Sequence, residues 1–127
     1  MKSPAGDSQV QFNSDTGSNY SFHYLLGNGS GTAAGGFANQ SAIGWKTPST
    51  SANIFSAAIL DILDYQNTNK YKTTRSLAGD DFNGSGAVVM HSGNWRNTAA
   101  ISTVTITLTG GNSFAQYSSF ALYGIKG

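Results

Sequence analysis

Cysteine and glutamate are both absent from this 127-residue chain, whose six acidic residues are all aspartates. Without cysteine, neither a disulfide framework nor a thiolate metal site is available. Charged residues are scarce as well, at 10% of the chain, and their formal net charge is only +1. This balance excludes a strongly basic nucleic-acid surface and an acidic solvating tail. We therefore expect no nucleic-acid partner.

Long hydrophobic runs are also lacking. The longest candidate, residues 54–63, is interrupted by Ser56 and Asp61, and it is far shorter than the roughly 18 residues of a membrane-spanning helix. The first residues show neither the basic nor the apolar part of a signal peptide. Polarity comes from Ser, Thr, Asn and Gln, a composition common in extracellular or particle-surface β proteins. We expect a soluble chain with no membrane partner.

The clearest strand pattern lies near the end of the chain. Val104, Ile106 and Leu108 alternate with threonines, which is the period of a strand with one buried face. A Gly-Gly-Asn turn at residues 110–112 follows, and residues 114–125 form a second apolar-rich run. This predicts a final hairpin in which residues 119–125 supply a core strand.

Earlier segments predict further short strands. Val10 and Phe12 mark one strand, and the alternation at residues 20–25 marks the next, with a turn-rich stretch at 13–19 making them a hairpin. Residues 27–50, rich in Gly, Ser, Ala and Asn, predict a long surface excursion with one short strand around residues 43–46. Residues 54–65 fit either a helix or a strand, and the neighbouring strands favour a strand.

The second half continues the same pattern. Residues 65–71 predict a hairpin loop, residues 79–86 a turn, residues 87–90 a short strand and residues 92–95 a tight turn. Seven to nine short strands indicate an all-β fold, an antiparallel β-sandwich of jelly-roll type. We predict a lead-in arm at residues 1–7 and one sandwich domain at residues 8–127.

No constellation of residues indicates catalysis. His23 and His91 are far apart and lack the partners of a zinc shell, and Asp61 and Asp64 would face opposite sides of a strand. Nucleophile-elbow, phosphate-loop and dinucleotide motifs are missing from the sequence. The predictions are therefore a non-enzymatic protein with no catalytic residue, no metal and no cofactor. Turn chemistry explains the two clusters of Asp and Asn, at residues 13–19 and 80–83.

Aromatic residues exceed what one small core needs. Aromatic side chains beside Asn, Asp and Ser are used both by sugar-binding sites and by protein interfaces. Core packing is the interpretation we prefer for Trp95 and Tyr123. The candidate contact residues are Trp45, Phe37, Tyr65 and Tyr71.

Four phrases together resemble a group of small bacteriophage structural proteins and C-terminal modules of phage tail fibres. They are FNSDTGSNYS at residues 12–21, DY followed by KYKT at 64–65 and 70–73, GNW at 93–95, and SFALYGI at 119–125. The resemblance covers most of the chain and implies a non-enzymatic β-sandwich displayed on a virion that is assembled in the bacterial cytoplasm. Its usual opening has one or two further strands before the first phrase, which this chain lacks.

The resemblance leaves three functions open. A capsid decoration protein comes first, because a tail-fibre receptor-binding tip would need a stalk and the sequence has no heptads. A carbohydrate-binding module that takes a host surface glycan is the third. Expected partners are major capsid or tail proteins and further copies of the chain. We expect a homo-oligomer, with a trimer suggested by the resemblance and residues 1–11 in the contact.

Overall fold

The computed structural model describes residues 7–45, 51 and 53–125 of the chain. It is all-β, as predicted, with a 3-10 turn at Thr109–Gly111. Among the described residues, no helix is long and apolar enough to span a membrane. The strands are β1 (Ser8–Phe12), β2 (Tyr20–Gly27), β3 (Thr32–Gln40), β4 (Ile43–Gly44), β5 (Ala57–Ile62), β6 (Lys72–Asp81), β7 (Gly86–Trp95) and β8 (Val104–Leu108).

Two antiparallel sheets pack together as a sandwich. The smaller sheet has the order β4-β1-β8, and the larger has the order β3-β2-β7-β6-β5. Strand β1 pairs with β8 in one sheet, while β2 pairs with β7 in the other. This nesting of early with late strands across two sheets is jelly-roll-like, as the sequence predicted.

The core lies where the small sheet covers one end of the large sheet. In β1, Val10 and Phe12 point inward because alternate residues of a strand face the same side. They meet Tyr20 of β2 and Trp95 of β7, which occupy opposite positions in the register of the large sheet. The three aromatic rings of this cluster are fully buried, with centroids 5.6 Å apart for Phe12 and Trp95 and 6.3 Å for Tyr20 and Trp95.

The strand interpretation of residues 54–65 is confirmed. Strand β5 pairs with β6 from Ala57 opposite Gly79 to Ile62 opposite Thr74, and the predicted loop at residues 65–71 joins them. The alternation places Leu60 and Ile62 against the core. As a strand, this segment pairs its backbone with β6 on one side and turns Leu60 and Ile62 inward, while Ile59 faces solvent.

The predicted hairpin between the first two strands is wrong. Strand β1 lies in the small sheet and β2 in the large one, so the turn-rich residues 13–19 carry the chain between the two layers. Turn residues at this point suit either a hairpin or a crossover, since both need the chain to reverse over a few residues. Positive φ angles of 51° at Asn13 and 57° at Ser14 begin this crossover.

The predicted surface excursion at residues 27–50 is also largely wrong over residues 27–45, and residues 46–50 lie outside the described part of the chain. Strand β3 runs the length of β2 as an edge strand, while the short strand predicted near residue 43 is confirmed as β4. The glycines of β3 interrupt the apolar–polar alternation that predicts a strand, yet the packing around β3 requires them. A Cβ on Gly35 would lie 2.7 Å from the Tyr24 ring, and one on Gly36 would lie 2.5 Å from the His23 ring. The aromatic side chains of β2 occupy the space that side chains of β3 would need.

The tight turn predicted at residues 92–95 does not form, because these residues complete strand β7. Close packing again explains why glycine occupies position 93. Its Cα faces the small sheet, and an added Cβ would lie 2.5 Å from Thr74 Oγ1 and 2.6 Å from Ile43 Cγ2. Glycine lets β4 approach the large sheet closely at this point.

The predicted final hairpin is wrong in its second half. Strand β8 forms, and Gly110 and Gly111 turn the chain with φ of 72° each, but β8 pairs with β1. Residues 113–125, here called the C-terminal tail, add no strand to either sheet. Tyr123, predicted to fill the core, is 83% exposed. Both faces of the tail are apolar, so its sequence pattern does not distinguish a core strand from an uncovered one.

The predicted arm falls almost entirely outside the described residues, which begin at Asp7. The Asp7 carbonyl accepts a hydrogen bond from the Thr109 amide at 3.0 Å. Residues 8–11, which we expected in a contact between copies, lie in β1, the central strand of the small sheet. The backbone of Gln9 and Val10 is therefore already paired with both β4 and β8 within one chain.

Candidate interaction surface

Large apolar side chains cross the outer face of the five-stranded sheet, the face turned away from the small sheet. We call this set the apolar row, and its four large side chains are each more than half exposed. Exposed apolar side chains are normal when scattered singly, whereas a contiguous set indicates an interaction site. The row consists of Ala34 on β3, Leu25 on β2, Met90 on β7, Leu77 on β6 and Ile59 on β5.

Strand register alone builds the apolar row. Leu25 lies opposite Met90, Met90 opposite Leu77, and Leu77 opposite Ile59, so one side chain from each strand falls on a single line. With neighbouring strands about 4.8 Å apart, the row crosses roughly 19 Å of sheet. Val88, also more than half exposed, extends the apolar surface on the next line of the same face.

A polar line bounds the apolar row on its other side. Here His23 lies opposite Ser92, and Ser92 opposite Arg75. Arg75 lies opposite Asp61, and its Nε donates a hydrogen bond to Asp61 Oδ2 at 2.8 Å. The Arg75 side chain is largely exposed and that of Asp61 partly so, and solvent therefore limits the contribution of this ion pair to folding to about 1 kcal/mol or less. The outer face thus has an apolar part with a charged border, the layout of a protein interface.

The C-terminal tail is the second uncovered apolar surface. Leu122, Tyr123 and Ile125 are 82%, 83% and 87% exposed, and Tyr117 is exposed to the same degree as Tyr123. The tail is folded locally near its start, where the Phe114 and Phe120 rings meet edge to face at 4.9 Å. The remaining apolar side chains of the tail are presented to solvent.

The four predicted contact residues lie in three places. Phe37, on edge strand β3, stacks on Phe22 with ring centroids 4.9 Å apart and is about half exposed. Trp45 follows β4, is half-buried, and its amide donates to the Ser8 carbonyl at 3.1 Å. Tyr65 and Tyr71 flank the β5–β6 loop, at the opposite edge of the large sheet, and both are exposed. The two edges are about four strand spacings, or roughly 19 Å, apart. The structure therefore does not unite these residues in one site.

The two histidines of the chain are also separated in the structure. His23 is exposed on the outer face, while His91 lies on the inner face beside the Phe22 and Tyr24 rings, with centroids 6.3 and 6.1 Å away. In the described ranges, no group of three or more His, Cys, Asp or Glu side chains could hold a metal ion.

Two of the phrases behind the bacteriophage resemblance meet in one hydrogen-bonded cluster. Asp15 Oδ2 accepts hydrogen bonds from Trp95 Nε1 at 2.8 Å and from Asn19 Nδ2 at 3.0 Å, and Asp15 Oδ1 accepts one from the Gly17 amide at 2.9 Å. Tyr20 completes the cluster, since its hydroxyl accepts from the Phe12 amide at 3.0 Å. These residues fix the crossover between the sheets over the buried Trp95 ring, which gives the two phrases a structural purpose.

Acid should weaken the fold through Asp15. The hydrogen bond from Trp95 lowers the pKa of Asp15 below its usual value, with further lowering by Asn19 and Gly17, although partial burial opposes it. The unfolded chain therefore binds this proton more readily, so the stability contributed by the carboxylate is complete above about pH 4 and is lost as pH falls through the lowered pKa. We expect the urea midpoint of Asp15→Asn to depend less on pH below about 4 than that of the parent chain. Parallel pH dependence in the two proteins would contradict this assignment.

Comparison of the chain with protein-family models, with curated proteins and with solved structures finds no match. The functional argument consequently rests on the two uncovered apolar surfaces. Sequence reasoning missed the apolar row, although a signal was present: Leu25 lies on the face of β2 opposite the inward-facing Tyr20, Phe22 and Tyr24. The sequence predicts the tail as a core strand, whereas the structure leaves its apolar side chains exposed.

Proposed function

We propose that this chain is a non-enzymatic structural protein that works by contacting other proteins. The observation that carries the proposal is the pairing of an exposed apolar row with an exposed apolar tail on a well-packed sandwich. Apolar surface exposed in this way is unfavourable in water, by roughly 25 cal/mol for each Å² that a partner could cover. Covering it in an assembly recovers that free energy.

More specifically, we propose a protein displayed on the surface of a bacteriophage particle, where it acts as a capsid decoration protein. The support is the order of the four phrases in the sequence, together with a jelly-roll-like sandwich that carries uncovered apolar surface. Its partners on the particle would be major capsid proteins. A capsid offers the same contact many times by symmetry, and the homo-oligomer expected from the sequence would bind several of these contacts at once, so a modest apolar surface on each copy would suffice for stable attachment.

The tail-fibre receptor-binding tip is the alternative, and the same four phrases support it.

The third function is carbohydrate binding, in which aromatic faces would stack on a sugar. Because the candidate contact residues lie apart, such a site would use only some of them. Tyr65 and Tyr71 are exposed near one loop and could serve in that way, whereas Trp45 is half-buried. A glycan array probed with the parent chain and with Trp45→Ala distinguishes this function, because a glycan site at Trp45 predicts binding that the variant abolishes.

Immunogold electron microscopy of the phage that encodes the chain tests the particle assignment. Antibody raised against the purified chain should label the heads, at many positions on each particle. Label confined to the ends of tail fibres would replace decoration by the fibre-tip alternative. Virions without label, from lysates in which the chain is detected by blotting, would overturn both.

A further inference from the structure

We infer that the C-terminal tail of one copy binds the apolar row of a second copy. The inference deepens the proposed function, because it names further copies of the chain as partners in the assembly. It is tested separately, however, since self-association is measured on the purified chain without any particle. The proposal rests on the match between two surfaces that one chain presents and leaves uncovered.

The tail and the apolar row match in length. The six residues from Phe120 to Ile125, if extended, would span about 17 Å at 3.3 Å per residue, close to the roughly 19 Å of the apolar row.

The two surfaces also match in the chemistry of their side chains. The row offers aliphatic side chains and one thioether, and the tail offers Phe120, Leu122, Tyr123 and Ile125. Aromatic and aliphatic side chains of this kind form the centres of protein interfaces.

The described residues of one chain do not make this contact themselves. The tail leaves the sandwich from β8 in the small sheet, whereas the apolar row lies on the far side of the large sheet. Its first part is also shortened by the turn in which the Ser118 amide donates to the Ala115 carbonyl at 3.1 Å, and by the Phe114–Phe120 contact. Reaching its own row would require the tail to break this turn and wrap around the edge of the sandwich.

The area is sufficient for a stable assembly. Aromatic side chains such as Phe120 and Tyr123 bury about 150 to 250 Å² each, so these two together with Leu122, Ile125 and the side chains of the row would remove on the order of 800 Å² of surface from water. Two reciprocal contacts would remove about 1,600 Å², the size of a standard specific interface. In a ring, every copy gives one tail and receives another, so each neighbouring pair shares one contact of on the order of 800 Å² and each copy is held by two contacts. The predicted trimer is one such ring.

Light scattering after size exclusion tests the two surfaces with matched variants. The parent chain, of 13.3 kDa, should elute at a multiple of that mass at micromolar concentration. Leu77→Lys in the row and Leu122→Lys in the tail should each weaken association by about tenfold or more, because each puts a charge in the centre of the contact. The controls are Thr73→Lys, which lies on the same strand and face two positions beyond Arg75, and Ser119→Lys in the tail. Both controls should associate like the parent.

Cysteine cross-linking then distinguishes one chain from two. Because the chain has no cysteine of its own, Leu77→Cys and Leu122→Cys each carry a single thiol. A short bismaleimide added to a mixture of the two variants should yield a product containing one chain of each, identified by mass spectrometry. A monomeric parent chain would overturn the proposal, as would a double-cysteine variant that cross-links within one chain only. An oligomer that both lysine variants leave intact would overturn it as well.

Discussion

Replacing Trp95 by alanine should cost about 3 to 5 kcal/mol of unfolding free energy, the largest loss expected of any single substitution in this chain. The indole ring is fully buried between Phe12 and Tyr20, so its removal leaves a cavity at the point where the two sheets meet. It also removes the indole donor to Asp15. Urea unfolding followed by circular dichroism measures the loss.

Trp95→Phe separates these two contributions. Phenylalanine keeps an aromatic ring in the core but has no N–H to donate, so the Asp15 carboxylate loses that bond. A hydrogen bond to a charged group contributes about 1.5 to 3 kcal/mol, and the smaller ring leaves part of the indole volume empty, so we expect a cost of about 2 to 3 kcal/mol. If Trp95→Ala were no more destabilising than Trp95→Phe, burial of the ring between the sheets would be refuted.

The second large effect is expected at Gly93, where alanine should cost about 1 to 3 kcal/mol. Its Cβ would lie 2.5 Å from Thr74 Oγ1 and 2.6 Å from Ile43 Cγ2, so β4 would have to move away from the large sheet. Thr74 and Ile43 are themselves buried, which leaves them little freedom to shift. Thermal and urea unfolding of Gly93→Ala provide the measurement.

Gly27 supplies the matched control for this substitution. It lies in the same sheet, on the neighbouring strand β2, and an added Cβ would find nothing within 4 Å. Gly27→Ala should therefore be neutral, or stabilise by up to about 1 kcal/mol through the unfolded chain. Equal losses at the two positions would show that strand glycine itself, rather than the close approach of the sheets, determines the effect.

The strands were predictable wherever apolar and polar residues alternate. Val10 and Phe12, the aromatic residues of β2, and the threonine-rich β8 all have the expected period, and the structure confirms each as a strand with the apolar side inward. Residues 54–65 were resolved by context, because a helix would have been out of place between strands. These local patterns were enough to predict a sandwich.

Glycine-containing strands could not be predicted from pattern. β3 and the end of β7 contain glycines where neighbouring side chains or the other sheet come close, and that closeness is a property of the fold.

The sequence of β6 also does not indicate which of its two faces is buried. The buried face consists of Lys72, Thr74, Ser76 and Ala78, while Leu77 faces solvent, so hydrophobicity indicates the wrong face. Lys72 is fully buried because its Nζ donates to the Lys70 and Thr98 carbonyls at 3.1 and 3.2 Å.

The candidate site was the least predictable part. The apolar row takes one side chain from each of five strands, so no stretch of sequence contains it, and only the register aligns its members. The tail has the composition of a core strand, and only its lack of a ladder in the structure distinguishes it. Contact residues chosen one by one for their aromatic rings did not come together in space.

The pairing of β1 with β8 has a consequence for the order in which the chain can fold. Gln9 and Thr107, 98 positions apart, are hydrogen-bonded across this ladder, so the central strand of the small sheet lacks one neighbour until residue 108 has left the ribosome. The β5–β6–β7 meander, in contrast, joins strands that follow one another and can form early. Closing so long a loop is slow, which places folding on the millisecond to second scale of other β-sandwiches. During that interval Val10 and Phe12 remain exposed, and a nascent chain is most open to aggregation before residue 108 is available.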